Sequence, residues 1–566
     1  MKRLFLFILT SYFILPSNVD SRSFRPIKYR QAMVVAPESL AADVGTEVLR
    51  KGGNAIDAAV AVAFTLAVTY PRAGNIGGGG FLIYHSAENN RCYALDYREK
   101  APLSASRNMY LDENGDIIEN ASIRGYRSVG VPGTVAGLWK AHNRFGKLPW
   151  ADLLQPAIDL AGNGFVIDEY LAASLRYASK DLARYPSTRK VFLKEEADSL
   201  YKEGERLIQK DLASTLKRIA ENGPDGFYSG KTAELIEQEM RVNGGIITKK
   251  DLEKYEAVWR DPIEIDYRGY TVYSMPLPSS GGIVLAQILN GLENYNIRRL
   301  GHNSASHIQL WTEICRFAYA DRAQFLGDGD FVDVHVEQLI NKPYMRNKLL
   351  NVNWFEAGNS DSILNVHNLL QDSPHTTHFS IVDQWNNAVS NTYTLNDNYG
   401  SKVIIEGTGI LLNDEMDDFS IKPGVPNMFG LLGNEANAIE PEKRMLSSMT
   451  PTIVTKNDSL FMVIGSPGGS RIITTVAQTI SNVIDFNMNI REAIEAPRIH
   501  HQWKPDAIFF EDSGFTRDTE NILIIKGYNI KTMRSIGIAN GIRISNEDKR
   551  LAGWADPRGN GKVNGY

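Results

Sequence analysis

Hydrophobic side chains recur at helical spacing over several long stretches of the chain. The pattern over residues 37–51 predicts a helix that ends at a Gly-Gly pair. The following stretch, Ala55 to Val68, is apolar on nearly every side, which predicts a helix buried in a core. Further helices are predicted at 153–163, 211–222, 231–243, 307–326 and 471–484.

Shorter apolar or alternating runs between these stretches predict strands. They lie at 81–84, 92–98, 377–383, 387–394 and 459–464, with a hairpin at 261–275. No long linker, charge block or internal repeat divides the 566 residues. The pattern is therefore compatible with one compact unit of unusual size, although the length alone predicts several domains.

The first residues have the pattern of a secretory signal peptide. Lys2 and Arg3 precede an apolar run that ends near Leu15, which is too short for a membrane span. We expect residues 1–22 to be removed and the protein to be exported, either periplasmic or secreted. The alternative is an uncleaved membrane anchor. No later apolar run is long enough to cross a bilayer, so we expect no stable membrane span after removal of the signal peptide.

Composition excludes several classes of function. The net charge of -5 and pI near 6.1 provide no basic surface for nucleic acid. Two cysteines, Cys92 and Cys315, do not make a disulfide scaffold or a cysteine-based metal site, and the sequence leaves open whether they bond to each other. No motif indicates a cofactor.

The stretch with most chemical interest surrounds Thr376, at the junction between a polar approach and a strand. A threonine hydroxyl becomes a nucleophile when a base removes its proton, and the free α-amine of the same residue can serve as that base. That amine exists only if the bond between His375 and Thr376 is cut. Most Thr-Thr pairs at a strand start are ordinary strand residues, so the interpretation depends on the motifs that accompany it.

Candidate binding groups lie at the ends of other predicted strands. Arg98 follows one strand and is able to clamp a carboxylate, while Glu415, Asp417 and Asp418 follow another and are able to pair with an ammonium group. The Gly-Gly pair at 468–469 directly precedes a predicted helix, where backbone N–H groups can form an oxyanion hole. The surrounding Gly465-Ser-Pro-Gly-Gly469 is not a nucleophile elbow, which weakens a serine-hydrolase interpretation.

Taken together, these motifs closely resemble the γ-glutamyltranspeptidase family. The resemblance extends over essentially the whole chain after the signal peptide and is carried by motifs in one order, Asp96-Tyr-Arg-Glu99, Thr376-Thr-His-Phe-Ser380, Thr394-Leu-Asn396, Gly409-Ile-Leu-Leu-Asn413, Leu446-Ser-Ser-Met-Thr-Pro451 and Gly465-Ser-Pro-Gly-Gly-Ser-Arg471.

The resemblance implies an N-terminal nucleophile hydrolase with a four-layer αββα sandwich, made as a precursor that cuts itself. It implies a large subunit of residues 23–375 and a small catalytic subunit of residues 376–566, which stay intertwined in one fold. The implied activity is transfer of a γ-glutamyl group from glutathione or a related compound to water, an amino acid or a dipeptide.

The resemblance also implies a role for each matching residue. Thr376 is the nucleophile, Thr394 orients it, and Gly468 and Gly469 donate to the oxyanion. The residues implied to hold the substrate α-carboxylate are Arg98, Ser447 and Ser448. Those implied to hold its α-ammonium are Asn396, Glu415 and Asp418.

Two positions depart from many family members. The loop 423–430 resembles the family's active-site lid, with Phe429 where many bacterial members have tyrosine, and we expect such a lid to close by packing alone. Glu415 stands where some members have glutamine.

The enzyme alternative is a related acylase for cephalosporin side chains, and the non-enzyme alternative is an exported binding protein. A metal site at His375 and His378 has no third ligand motif.

Overall fold

The computed structural model describes residues 25–194, 199–363, 376–512, 514–545 and 548–566. The predicted signal peptide and His375 lie outside the described residues. The strands are β1 (Ile27–Tyr29), β2 (Met33–Ala36), β3 (Gly79–Ser86), β4 (Arg91–Tyr97), β5 (Phe165–Val166), β6 (Arg206–Leu207), β7 (Val258–Arg260), β8 (Ile263–Tyr267), β9 (Tyr270–Ser274), β10 (Thr377–Val382), β11 (Ala388–Thr394), β12 (Ile404–Ile405), β13 (Ile410–Leu411), β14 (Thr452–Lys456), β15 (Ser459–Gly465), β16 (Ile499–His500), β17 (Ile508–Glu511), β18 (Ile530–Met533), β19 (Asn540–Ile544), β20 (Leu551–Ala555) and β21 (Lys562–Gly565).

Helices cover both outer faces of the strands. They are α1 (Ser39–Arg50), α2 (Ala55–Thr69), α3 (Thr134–Phe145), α4 (Trp150–Asn163), α5 (Glu169–Leu182), α6 (Pro186–Phe192), α7 (Lys210–Asn222), α8 (Asp225–Tyr228), α9 (Gly230–Val242), α10 (Lys249–Glu253), α11 (Gly281–Glu293), α12 (Ile297–Leu300), α13 (Ala305–Phe325), α14 (Val336–Leu339), α15 (Lys342–Leu349), α16 (Arg471–Ile484), α17 (Ile490–Glu495) and α18 (Arg517–Ile525).

Two seven-stranded antiparallel sheets form the centre of the fold. Sheet I has the order β1-β20-β19-β15-β14-β9-β8, and sheet II has the order β21-β2-β10-β11-β3-β4-β7. Strands β10 and β11 of sheet II pack against β15 and β19 of sheet I. The core between the sheets is therefore closed on both sides by strand backbones.

Alternation along β3 shows why sheet II needs a layer on each face. Phe81 and Ile83 belong to the apolar cluster that includes sheet I, whereas Leu82 and Tyr84 belong to the cluster that includes α2. Every residue of α2 is buried, as its uniformly apolar sequence predicts. Helices α11, α16 and α17 contact sheet I. The predicted four-layer αββα sandwich is confirmed.

Segments before and after Thr376 are interleaved within both sheets. Sheet II takes β2, β3, β4 and β7 from the earlier segment and β10, β11 and β21 from the later one. In sheet I, β1, β8 and β9 come before Thr376 and the other four strands after it. A cut before Thr376 would therefore leave two pieces that share both central sheets.

Two further features bear on questions that the sequence left open. Cys92 is half-buried and Cys315 is buried, and both are free thiols, so they do not form a disulfide with each other. Among the helices of the described residues, none has the length and apolar character needed to cross a membrane.

Candidate active site

Thr376 directly precedes β10, a central strand of sheet II that pairs with β2 on one side and β11 on the other. Pairing of Thr377 with Tyr393 brings Thr394, the last residue of β11, opposite Thr376. The Thr376 hydroxyl donates a hydrogen bond to Thr394 Oγ1 at 3.3 Å, and the Asn396 backbone N–H donates to the same oxygen at 2.9 Å. The strand pairing therefore positions the candidate nucleophile.

The backbone at Thr376 is strained. Its φ is 133°, a value that β-branched residues rarely adopt because the side chain crowds the neighbouring peptide groups. Such strain costs of order 1–3 kcal/mol and persists only where the surrounding structure enforces it. The candidate cleavage point is thus a position of stored backbone energy.

A glycine turn between β15 and α16 supplies unpaired backbone donors. Gly468 and Gly469 have φ values of 140° and 57°, which favour glycine over any other residue. Within the described part of the chain, no acceptor pairs with the N–H of either glycine. Two free N–H groups beside a helix start are the arrangement that stabilises a developing oxyanion.

One small cavity brings most of the predicted site residues together. Its lining residues are Arg98, Thr376, Thr394, Asn396, Asp418, Phe429, Leu431, Ser447, Ser448, Met449, Gly469 and Ile472. Gly468 and Glu415 do not line it, although Gly468 adjoins Gly469 and Glu415 pairs with Arg98.

Arg98 contacts the predicted ammonium-binding carboxylates directly. Its guanidinium lies 2.6 Å from Glu415 Oε2 and 2.5 Å from Asp418 Oδ2, and it is 1% exposed. The neighbouring Glu99 has no hydrogen-bond partner among the described residues, and burial raises the pKa of its carboxyl to about 8. Burial also raises the pKa values of Glu415 and Asp418. The site therefore holds charges of both signs in a desolvated pocket.

The similarity of the chain to known proteins shows which family it belongs to. A family model described as gamma-glutamyltranspeptidase matches residues 41–566. The chain belongs to the γ-glutamyltranspeptidase family. The sequence is 47% identical over 542 residues to the glutathione hydrolase proenzyme of Escherichia coli (strain K12), covering 96% of this chain and 93% of that protein.

Two solved structures extend the comparison. The cephalosporin acylase of Bacillus halodurans superposes with a TM-score of 0.84 at 26% identity, covering 99% of both chains. The γ-glutamyltranspeptidase of Helicobacter pylori is 46% identical, with a TM-score of 0.57 over 58% of this chain and 95% of that chain. The expected enzyme class, a γ-glutamyltransferase and glutathione hydrolase made as a proenzyme, is confirmed.

The loop that resembles the γ-glutamyltranspeptidase lid lies closed over the cavity. Phe429 packs so closely on the turn at Gly468 and Gly469 that a Cβ at Gly469 would be 2.7 Å from the phenyl ring. Asn427 donates to Asp418 Oδ1 at 3.0 Å, and the Met428 N–H donates to Asp417 Oδ2 at 3.0 Å. The expectation that this lid closes by packing alone is therefore wrong.

Gln502 adds a second attachment for the γ-glutamyltranspeptidase lid. Its side-chain amide donates to the carbonyl oxygens of Phe429 and Gly430 at 3.3 and 3.2 Å. Its carbonyl accepts from the Ser470 hydroxyl at 2.6 Å, one residue after the oxyanion turn. This link between the lid and the turn depends on contacts between segments that are distant in the sequence.

Arg322 is a further residue of this γ-glutamyltranspeptidase site that sequence reasoning missed. It lies near the end of α13 and donates to Ser448 Oγ at 3.3 Å. The pattern around it, a buried amphipathic helix, gave no sign of a role in the site. The sequence shows only that an arginine lies within a helix of buried residues, which does not identify the site that the arginine serves.

His378 is not available as a metal ligand or a base for Thr376. Its ring nitrogens pair with Thr392 at 2.8 Å and Ser380 at 3.0 Å, and burial lowers its pKa to about 3. Among the described residues, no group of three or more histidine, cysteine or acidic side chains is arranged to hold a metal ion.

Proposed function

We propose that the chain folds as an inactive precursor and cuts itself between His375 and Thr376. Thr376 Oγ attacks the carbonyl carbon of His375, and the peptide nitrogen leaves as an amine while an ester forms. Water then hydrolyses the ester, which releases the His375 carboxylate and restores the Thr376 hydroxyl. The backbone strain at Thr376 and its contact with Thr394 support this assignment.

Cleavage creates the amine that turnover requires. The α-amine of Thr376 takes the hydroxyl proton as Oγ attacks the γ-glutamyl carbonyl, and then gives that proton to the leaving amine. The N–H groups of Gly468 and Gly469 hold the oxyanion in between, and each such donor lowers the barrier by roughly 3–4 kcal/mol. Water or an amine acceptor then attacks the γ-glutamyl ester and regenerates Thr376.

The charged pocket supports an orientation for the two ends of the glutamyl group. Arg98, Ser447 and Ser448 hold the α-carboxylate, while Asn396, Glu415 and Asp418 hold the α-ammonium. In the free structure Arg98 pairs with both Glu415 and Asp418, and a zwitterion that separates Arg98 from Asp418 would give each of these two residues a partner of opposite charge. This charge pattern favours a γ-glutamyl donor over the uncharged or singly charged side chains that an acylase accepts.

The substrates follow from the curated relatives and from this pocket. Glutathione is the principal donor, with other γ-glutamyl compounds as alternatives, and amino acids or dipeptides compete with water as acceptors. The two pieces remain paired as large and small subunits, residues 23–375 and 376–566. Residues 1–22 direct export to the periplasm or the medium and are then removed, and turnover needs no cofactor.

The observation that carries the proposal is the 3.3 Å contact between the Thr376 and Thr394 hydroxyls beside a pocket of complementary charge. The test is intact-mass and denaturing-gel analysis of wild type and Thr376→Ala. Two fragments, the smaller beginning at Thr376, are expected for wild type and one uncut chain for the variant. A wild-type chain that stays whole on prolonged incubation refutes self-cleavage.

A second assay separates the two enzyme classes. Processed wild type is incubated with glutathione and with a glutaryl cephalosporin, and free glutamate and free glutarate are measured. Release of glutamate at the higher rate is expected because only the glutamyl donor carries the α-ammonium for Asp418. Faster release of glutarate would assign the chain to the acylases instead.

A further inference from the structure

Arg322 is a buried cation without an ion pair. Its guanidinium is 5% exposed at the side of the pocket, and its Nε donates to Ser280 Oγ at 3.0 Å while Nη2 donates to Ser448 Oγ at 3.3 Å. Among the described residues, no carboxylate forms an ion pair with it, and Asp418 is the anion that most influences its charge. Burial lowers the pKa of Arg322 to about 10, so it remains protonated at neutral pH.

Two other buried arginines are compensated directly by carboxylates. Arg316, two turns earlier on α13, pairs with Glu313 at 3.0 Å and also with Asp506, and Arg498 pairs with Asp556 at 2.7 Å. Burying a guanidinium without such a partner is costly because water no longer solvates the charge. A position of this kind is best explained if a ligand supplies the missing negative charge.

The contacts of Arg322 lead to the candidate carboxylate-binding serines. Ser448 lines the cavity, and its oxygen accepts a charge-assisted hydrogen bond from Arg322, which leaves the hydroxyl proton free for another acceptor. Ser280, the other partner, donates to the Ser447 carbonyl at 2.7 Å. One guanidinium thus orients Ser448 and supports the backbone of Ser447.

We propose that Arg322 is a specificity-determining residue for the α-carboxylate of the donor. It acts through the Ser448 hydroxyl, which it turns toward the carboxylate, and through its own positive charge behind that hydroxyl. The inference rests on the proposed γ-glutamyl function. In the free enzyme Arg98 is paired with carboxylates, whereas Arg322 is not. Arg322 therefore adds a second positive charge, which no carboxylate among the described residues neutralises.

Three donors with one leaving group isolate this role. They are the 4-nitroanilides of γ-glutamate, of glutarate, which lacks the α-ammonium, and of 4-aminobutyrate, which lacks the α-carboxylate. Arg322→Gln should lower kcat/KM by about tenfold or more for the two donors with a carboxylate, and by less than about threefold for 4-aminobutyrate. Arg322→Lys should keep the charge and show a smaller loss with the same ranking. A donor that turns over too slowly is measured as a competitive inhibitor.

Arg316→Gln is the matched control, because it removes a buried guanidinium from the same helix but away from the cavity. It should lower the melting temperature and leave the ratio of the three donors unchanged. An equal loss for all three donors with Arg322→Gln, or no loss, overturns the proposal. If Arg322→Gln is not cleaved into its two subunits, the three donors are compared on Arg322→Lys instead. A loss of kcat/KM that is equal for all three donors, or no loss, again overturns the proposal. Absence of γ-glutamyl turnover in wild type refutes the proposed function instead.

Discussion

Gly469→Ala is the substitution whose free-energy cost can be estimated most directly from the structure. The residue has a φ of 57°, so an alanine there costs about 1–2 kcal/mol of backbone strain. Its Cβ would lie 2.7 Å from Cδ1 and 3.1 Å from Cε1 of Phe429, well inside contact distance. Overpacking of this kind costs about 1–3 kcal/mol more unless the turn or the lid moves.

Movement of the turn would displace an oxyanion donor. Loss of one such donor costs roughly 100- to 1,000-fold in kcat. We therefore expect Gly469→Ala to lower kcat for hydrolysis of γ-glutamyl 4-nitroanilide by about 100-fold, with a smaller change in KM. Initial rates are measured on protein that has been shown by gel to be fully cleaved, so that a defect in maturation is not counted as a defect in turnover.

A double-mutant cycle tests whether the lid ring causes the effect. In a Phe429→Ala background the clash is absent, so Gly469→Ala should cost about tenfold less there than in wild type. Gly301→Ala is the strain control, since its φ is 85° and its Cβ would meet only Ser304 at 3.8 Å. It should lower stability without changing the rate. An equal loss in both backgrounds would show that contact with Phe429 is not the cause, and no loss at all would remove Gly469 from the oxyanion site.

Two further predictions concern the lid. Gln502→Leu removes the amide that donates to the two lid carbonyls and keeps a similar side-chain volume. We therefore expect the ratio of hydrolysed to transferred product to rise several-fold. An unchanged ratio would show that this amide does not hold the lid. Burial raises the pKa of Asp417 to about 6, so the folded state holds this proton more tightly than the unfolded chain and the group's contribution to stability falls as pH rises from 3.8 to about 6. The melting temperature of wild type relative to Asp417→Asn should therefore be highest near pH 4 and level off above pH 6, and a constant difference across that range would contradict the assignment.

Local sequence patterns were sufficient for elements that lie wholly in the core or alternate cleanly. Helix α2 was predictable because every side is apolar, and β10 and β11 because their patterns alternate. Strands β19 and β21 were not predicted, since glycine and polar residues interrupt them and their pairing comes from neighbours distant in sequence. Tertiary pairing overrides weak local preference at those positions.

The residues of the candidate site likewise include some that the sequence could predict and others that it could not. Residues in compact motifs, such as Thr376 and Gly469, could be proposed from the sequence because several such motifs occur together in the order typical of the family. The direct pairing of Arg98 with Asp418 joins segments 320 residues apart, and it requires the strand order of sheet II. Arg322 carries no motif, and its relevance depends on where α13 packs. Contacts between separate motifs are set by topology, which spacing along the chain does not encode.

The pairing of Arg98 with Asp418 also explains why a donor should carry both charges. Bound as proposed, a zwitterionic glutamyl end would present a carboxylate to Arg98 and an ammonium to Asp418, so each charge would keep a partner when the internal contact opens. A glutaryl donor satisfies Arg98 but leaves Asp418 desolvated and without an ion-pair partner, at a cost of about 1–3 kcal/mol or more. The hydrogen bond that Asn427 of the lid donates to the same carboxylate offsets part of this cost. In the proposed site, selectivity for γ-glutamyl donors would follow from the charge left without a partner in the glutaryl complex as much as from the contacts of the γ-glutamyl complex.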